Sequence, residues 1–310
     1  MSTSTEPVEL SPRERFAQDM ESVRLPVLPA AVTRLLSEIN SPEPDVAKLE
    51  EIIAAEPQIS AKVLRTINSS QFSLRAEVRT IRHAIALLGF DRIRSIVLSY
   101  TMLENLPVPE GSLFDHEAFW TDTLLRSLLA RLLARSSRTG DPEEAFTAMM
   151  LADLSVPVLL TVWRDQYTPL LGDWNGQPKE LAELERDRIG WDHAQASAWI
   201  LRRWEFPELL VKTVGAHNLE HDELAAEGLL DTIALPVMTA ALLPSCLKPD
   251  AARCRNLMRA ARRTLHVPRP DWPLIHDALR EGFTGICAEF ELNGLLALEV
   301  LDTLKTEAAK

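Results

Sequence analysis

Residues 141–154 read DPEEAFTAMMLADL and predict a helix that is apolar on nearly every side. Asp141 supplies an N-cap side chain, and Pro142 suits the first helical position. A helix without a polar face belongs in the centre of a domain. The inner carboxylate of Asp153 is costly to bury alone, so it requires hydrogen bonds, a bound ion or a place at the helix end.

Helical periodicity extends over nearly the whole chain, and no segment alternates with the period of a strand. The sequence therefore predicts an all-α, multi-helix fold. Proline, glycine and polar clusters divide this fold into four parts. They are a mobile N-terminal arm, an N-terminal helical lobe, a second helical lobe and a C-terminal helical extension, at residues 1–20, 21–107, 112–221 and 222–310. Within the second lobe, the charged stretch 178–188 predicts a surface helix.

The composition bounds the class of protein and its partners. The chain has 310 residues, of which 46% are hydrophobic and 25% charged, as is ordinary for a globular protein. Its net charge of -12 disfavours non-specific binding to phosphate backbones. Nucleic acid is therefore not an expected partner.

Cysteine usage and hydropathy predict a cytoplasmic protein that does not span a membrane. The three cysteines are odd in number and lack CxxC spacing, which indicates reduced thiols: Cys246, Cys254 and Cys287. The apolar run 233–247 is interrupted by Pro236 and Pro244, and it is shorter than the roughly 20 residues that cross a bilayer. The N-terminus is polar and acidic and does not resemble a signal peptide.

Three groups of residues, taken in order, resemble one family. The groups are LPVLP at 25–29 with NS at 68–69 and IRHAI at 81–85; FW at 119–120 with DPEEAF at 141–146; and GWDHA at 190–194 with WEFP at 204–207 and AH at 216–217. Together they resemble HDOD, the HD-related output domain of bacterial signalling proteins. The resemblance implies an all-α, HD-like fold related to the HD phosphohydrolases, with a defective or absent metal site. It also implies a regulatory role, with proteins of two-component or cyclic-di-GMP signalling as partners.

The same resemblance locates a degenerate HD pocket. In HD phosphohydrolases a His-Asp pair on a central helix binds the metal, and here the pair reads Ala152-Asp153. The first histidine of the pattern falls at or near Asp122, and the later histidines correspond to His193 and His217.

The closing aspartate of the HD pattern falls among residues 238–240, which read Met-Thr-Ala and offer no metal ligand. Two interpretations remain open for Asp122, Asp153, His193 and His217: a relic metal site, or buried polar residues that satisfy one another. The missing donors favour the second, so we expect no catalytic residue, no metal and no cofactor. The expected function is a non-catalytic signalling module. The alternative is a divergent HD-type metal-dependent phosphohydrolase that acts on a nucleotide or phosphodiester.

A basic segment in the C-terminal extension is a candidate anion-binding face. Four arginines at helical spacing lie opposite Cys254, Leu257 and Ala261; they are Arg255, Arg259, Arg262 and Arg263. Arginine forks suit a phosphate group, so this face is a hypothetical nucleotide sensor. The simpler interpretation, a solvated face that pairs with the acidic remainder of the chain, is favoured.

Three tryptophans cluster near His193 in the sequence: Trp191, Trp199 and Trp204. We expect them to line the wall of the degenerate pocket, because large aromatic side chains commonly line ligand sites.

Overall fold

The computed structural model describes residues 12–23, 25, 30–39, 45–55, 57–68, 77–111, 113–176, 181–264, 271–290 and 292–310. Over these residues the secondary structure is helical and contains no strand, which confirms the all-α prediction. The α-helices are α1 Pro12–Ser22, α2 Ala30–Ile39, α3 Val46–Ala54, α4 Pro57–Ile67, α5 Ile81–Leu88, α6 Phe90–Asn105, α7 His116–Ser137, α8 Pro142–Ala152, α9 Ser155–Val162, α10 Arg164–Gly176, α11 Leu181–Ile189, α12 His193–Arg203, α13 Glu208–Gly215, α14 His221–Ala226, α15 Ala234–Ala241, α16 Ala251–Thr264, α17 Trp272–Phe290 and α18 Leu298–Ala308. A short 3-10 helix, Gly294–Ala297, precedes α18.

Helices α2 to α6 pack together as an N-terminal lobe. Asp45 caps α3 by accepting a hydrogen bond from the backbone N–H of Ala47 at 2.7 Å, and Thr80 caps α5 by accepting one from His83 at 3.1 Å. Gly89 turns the chain from α5 into α6 at a φ of +86°, where an L side chain would be strained. Buried apolar side chains fill the lobe, among them Leu49, Ile53, Val63 and Ile93.

Helix α8 lies at the centre of the molecule, as its sequence predicts. The Asp141 side chain accepts hydrogen bonds from the backbone N–H groups of Glu143 and Glu144, and Pro142 occupies the first turn. All residues from 145 to 152 are buried. Helices α6, α7, α13 and α15 surround it, so a helix without a polar face is covered on all sides.

Residues 142–162 are long and apolar enough to cross a membrane. However, 83% of their most apolar part is buried inside the protein. The stretch also consists of two helices, α8 and α9, which are separated at residues 153–154. Buried core helices can be equally long and apolar, so the packing of α8 and α9 in the core explains the composition of this segment.

Residues 12–20, which the sequence analysis placed in a mobile arm, form most of α1. Met20 is fully buried, and the ring of Phe16 meets that of Trp191 edge-on at 5.4 Å. The indole N–H of Trp191 donates to Asp19 Oδ2 at 3.0 Å. Helix α1 is therefore anchored on the second lobe by a contact that is distant in sequence. Residues 1–11 of the predicted arm lie outside the described residues.

The C-terminal extension shares its core with the second lobe. Helix α15 packs on α7 and α8, and α17 packs on α7. Side chains of the later helices belong to the same buried apolar cluster as Leu129 of α7; they include Leu257, Leu279, Phe283, Leu301 and Leu304. The extension is therefore built onto the second lobe and forms one side of the cavity described below.

Candidate functional site

Asp153 follows the last residue of α8, and three other polar side chains converge on it. Its Oδ1 is 3.2 Å from Nε2 of His217 and 3.4 Å from Nε2 of His193. Its Oδ2 is 3.3 Å from Nη1 of Arg126. In the described part of the chain, Asp153, His193 and His217 form a group whose ligand atoms lie within 4.8 Å of one another. The structure thus brings together three of the residues that the sequence assigned to one pocket.

His193 is held between two carboxylates. Its Nδ1 is 2.6 Å from Oε2 of Glu185, which also accepts the backbone N–H of His193 at 2.9 Å. Glu185 is fully buried and accepts a further hydrogen bond from the hydroxyl of Tyr167. Burial lowers the pKa of His193, but the charges of Glu185 and Asp153 on its two sides raise it well above 6.5. The raised pKa favours the imidazolium form, whose Nδ1 donates to Glu185, while its Nε2 lies 3.4 Å from Asp153 Oδ1 and 3.0 Å from Nδ2 of Asn218.

Glu185 lies on α11, the helix that its charged sequence predicts to be on the surface. Its neighbours Glu183 and Arg186 are exposed, in keeping with that prediction, but Ala182, Leu184 and Glu185 are buried. The prediction of a surface helix is therefore wrong for the face of α11 that carries Ala182, Leu184 and Glu185. A buried glutamate is stable here because it accepts hydrogen bonds from His193 and Tyr167.

His217 and His193 together fix the charge of Asp153. The Nδ1 of His217 lies 2.7 Å from the backbone carbonyl oxygen of Val214 and donates to it, so Nε2 faces Asp153. Burial raises the pKa of Asp153, but hydrogen bonds from His193 and His217 hold it well below its usual value. Asp153 is consequently an anion at neutral pH.

Arg126, like Glu185, belongs to the site but was not revealed by the sequence. Its Nε donates to the backbone carbonyl oxygen of Leu243 at 3.1 Å, and its Nη1 donates to Asp153. The Arg126 side chain is 19% exposed and projects from α7 on the side that faces α8. One signal was present: Arg126 lies between buried leucines, Leu125 and Leu128, one helical turn after Asp122.

The remaining predicted pocket residues are placed as follows. Asp122 lines the same cavity as Asp153, but its Oδ1 accepts the backbone N–H of Cys246 at 2.7 Å. Ala152 is fully buried in the apolar core. At the position of the closing aspartate, Met238 lines the cavity and offers a thioether in place of a carboxylate.

A cavity of about 850 Å³ opens beside Asp153. Its inner end carries Arg126, Asp153, His193 and His217, and its apolar lining includes Phe114, Phe119 and Trp174. This volume is in the range of pockets that hold small organic ligands, roughly 300–1,000 Å³.

The prediction that Trp191, Trp199 and Trp204 line the wall is not met, because none of the three lines this cavity. Trp191 is buried and stacks on Trp163 at 5.4 Å, so it belongs to the core beneath α1. Trp199 lies under the guanidinium of Arg203 at 4.8 Å. The tryptophan in the wall is Trp174, which is not adjacent to the other three in sequence.

The predicted anion-binding face is divided between two sides of α16. Arg263 lines the cavity, together with Arg253, Asn256 and Ala260 of the same helix. The other three residues of the predicted face do not line the cavity: Arg255 pairs with Glu307 at 3.0 Å, and Arg259 and Arg262 are exposed, as Arg263 itself is. The four residues of α16 that line the cavity recur at helical spacing. They lie on a different face of the helix from the one that the sequence predicted.

Comparison with protein families and with curated sequences shows which family the chain belongs to. The family model described as the HDOD domain matches residues 25–220. An uncharacterised protein of Treponema pallidum is 22% identical over 226 residues, which cover 71% of this chain and 42% of that protein. The uncharacterised protein YuxH of Bacillus subtilis is 31% identical over 110 residues, 35% of this chain and 26% of that protein. The chain therefore matches less than half the length of these two relatives.

Solved structures share the fold. A candidate phosphohydrolase from Shewanella amazonensis superposes with a TM-score of 0.69 at 24% identity, covering 94% of this chain and 98% of that one. A Geobacter sulfurreducens HDOD domain protein of unknown function gives 0.64 at 17% identity, with 95% of each chain covered. A candidate signal transduction protein from Marinobacter aquaeolei gives 0.66 at 15% identity, covering 90% and 66%. With the family model matched over residues 25–220, this chain belongs to the HDOD domain family.

Proposed function

We propose that this protein is a non-catalytic signal-transduction module that acts through protein partners in the cytoplasm. The observation that carries the proposal is the ion pair between Arg126 and Asp153 beside Ala152. A guanidinium neutralises the aspartate at the place where an HD enzyme holds a metal, and an alanine stands where the histidine donor of the pair would be.

The donor set fits an HD-type metal poorly. A divalent ion is bound by several donors that converge on it, with positions left for water. Three donors converge here, but one oxygen of Asp153 faces Arg126. The bonds of the two Nδ1 atoms, from His193 to Glu185 and from His217 to the Val214 carbonyl, orient Nε2 as metal-bound histidines do, so the poor fit rests on Arg126 and on the missing donors. A fixed positive charge about 4 Å away opposes a second cation by roughly 4 kcal/mol for each unit of its charge, at an effective dielectric constant near 20.

Metal analysis tests the proposal directly. Protein purified without chelators should contain well under one equivalent of iron, manganese or zinc. A stoichiometric transition metal that is lost in Asp153→Ala would contradict a metal-free module. A matched Asp122→Ala variant is the control, because Asp122 lines the same cavity and accepts a backbone N–H.

The role in signalling is supported by the family and by the kind of neighbour that shares the fold. The neighbour from Marinobacter aquaeolei is described as a candidate signal transduction protein. Partners from two-component or cyclic-di-GMP pathways follow from the resemblance of the sequence. The cytoplasm suits the three cysteines, Cys246, Cys254 and Cys287, which are free thiols and buried.

The alternative function is a divergent phosphohydrolase acting on a nucleotide or phosphodiester. It is supported by the convergence of Asp153, His193 and His217 and by the candidate phosphohydrolases with the same fold. Turnover of a nucleotide panel that disappears in Asp153→Ala and persists in Asp122→Ala would establish it. The same assay, with no turnover above that of the Asp153→Ala protein, would favour the non-catalytic module.

A further inference from the structure

The cavity beside Asp153 is built by two parts of the chain. Asp153, His193 and His217 belong to the region matched by the HDOD family model, whereas Arg253 and Arg263 belong to α16, which lies beyond residue 220. Part of the wall therefore lies outside the region that the family model matches.

Arginines in the cavity can receive an anion, although carboxylates line it as well. The half-buried carboxylates are engaged, since Asp122 accepts the N–H of Cys246 and Asp153 accepts from Arg126. The exposed carboxylates of the lining are Asp115, Glu183, Glu220 and Asp222; Asp115 and Glu220 cap helices, and Asp222 lies 3.5 Å from His221. Arg126 is fixed at the inner end by its bond to the Leu243 carbonyl. Among the described residues, Arg263 has no carboxylate within ion-pairing distance, yet it lies on the cavity side of α16. The arginine forks are thus arranged to receive a negative group from a ligand.

The aromatic lining of the cavity favours a flat apolar body. Phe114 and Phe119 lie with ring centroids 5.3 Å apart, and Trp174 lines the same cavity. Leu113 and Leu247 also line it and are 42% and 50% exposed. Large apolar side chains that are grouped and exposed at a cavity commonly mark a ligand site.

We infer that the cavity binds a small organic anion with a flat apolar body, and that α16 supplies part of its anion recognition. The anionic group meets Arg126 and Arg263, and the apolar body packs on Phe114, Phe119 and Trp174. The inference rests on the proposed function, because a ligand that is held without being turned over requires a site without hydrolytic activity.

A pair of fluorescent probes tests this inference on the full-length protein. Anilinonaphthalene sulfonate carries an aromatic body and one negative charge, and N-phenylnaphthylamine is the same body without the sulfonate. We expect one sulfonate probe per chain, bound at least about tenfold more tightly than the neutral probe, since a charge-assisted contact adds to a common apolar one. Equal affinity for the two probes would overturn the anion assignment.

Two arginines of the same helix give matched variants. Arg263→Glu should weaken the sulfonate probe by about tenfold or more and leave the neutral probe unchanged, because it reverses a charge on the cavity wall. Arg262→Glu is the control, since it makes the same charge change on the face of α16 that is turned away from the cavity. Equal losses in both variants, or none in Arg263→Glu, would overturn the inference. Urea unfolding of each variant shows whether the fold is kept.

Titrations with EDTA and with added manganese separate this inference from the proposed function. Probe binding that depends on Arg263 in EDTA supports both. Manganese that binds stoichiometrically at Asp153 contradicts the metal-free module, whatever the probe does. Probe binding that is independent of Arg263 contradicts only the anion site.

Discussion

The two ends of α8 carry the same kind of contact in opposite settings. At the N-terminal end, Glu143 meets Arg131 of α7 at 2.9 Å and Arg92 of α6 at 2.6 Å. At the C-terminal end, Asp153 meets Arg126 of α7 at 3.3 Å. The partial positive charge of a helix N-terminus stabilises Glu143, whereas the partial negative charge of a C-terminus opposes Asp153. The helix dipole therefore favours the carboxylate of Glu143 and disfavours that of Asp153.

The surroundings of the two ion pairs also differ, because the first lies between the two lobes and the second borders the cavity. The guanidinium of Arg131 lies 3.9 Å from the ring centroid of Phe146, and burial together with the charge of Arg92 lowers its pKa to about 9. This contact joins the N-terminal lobe to the second lobe and lines no part of the cavity beside Asp153. Asp153 borders that cavity and needs two histidines besides Arg126. The comparison suggests that the N-terminal pair contributes mainly to stability and the C-terminal group mainly to binding.

The largest expected effect is that of Glu143→Ala on stability. The change leaves two half-buried guanidinium groups, those of Arg92 and Arg131, without their shared carboxylate. Removing one partner of a buried ion pair costs about 3–5 kcal/mol, so we expect a loss of about 3 kcal/mol in the free energy of unfolding in urea. Glu144→Gln is the control and should cost under about 0.5 kcal/mol, because Glu144 is 42% exposed and lies 4.0 Å from Arg94. A loss below about 1 kcal/mol in Glu143→Ala would contradict the claim that the ion pairs of Glu143 stabilise the fold.

A smaller and pH-dependent effect is expected for Asp153→Asn. The carboxylate accepts from two imidazoles and a guanidinium, and hydrogen bonds to charged groups contribute about 1.5–3 kcal/mol. We expect the variant to be about 2 kcal/mol less stable near pH 6.

The pH window follows from the two shifts. The folded-state pKa of Asp153 is lowered, so its contribution is present above about pH 4 and is lost as the pH falls through that lowered value. The folded-state pKa of His193 is raised, so its contribution is complete below about pH 6.5 and is lost as the pH rises through the raised value. The difference between wild type and Asp153→Asn should therefore be largest between about pH 4 and 6.5.

Unfolding in urea across this range checks the prediction against Asp122→Asn. Asp122 accepts from the backbone N–H of Cys246, which does not titrate, so its difference from wild type should not vary between pH 5 and pH 8. A difference for Asp153→Asn that is equally flat would show that the imidazoles are not coupled to the carboxylate.

The sequence was sufficient for the parts of this comparison that depend on local pattern. The N-cap of Asp141, the central position of α8 and the all-α class follow from capping chemistry and periodicity. The convergence of Asp153, His193 and His217 came from the family resemblance, because no periodicity relates residues from three different helix ends.

The parts that the sequence did not reveal depend on tertiary contacts. Periodicity places Arg126 among leucines, but only packing shows that it reaches Asp153 and the carbonyl of Leu243. Glu185 resembles a solvated residue until Tyr167 and His193 approach it from other helices. Likewise, the rotation of α16, which turns Arg263 rather than Arg259 toward the cavity, is set by what its apolar face packs against.

The smallest effect, Arg126→Met, tests whether the guanidinium is what keeps a cation out of the cavity. The substitution keeps much of the aliphatic length and removes the positive charge beside Asp153, while Asp153, His193 and His217 still converge. We expect the affinity of the EDTA-treated protein for zinc to rise at least about tenfold, or about 1.4 kcal/mol, which is a modest part of the repulsion removed. Arg186→Met is the matched control, because Arg186 lines the same cavity but pairs with Asp192 at 2.7 Å. If both variants bind zinc as weakly as wild type, the missing histidine at Ala152 is sufficient to exclude the metal, and Arg126 is retained for the ligand rather than against the ion.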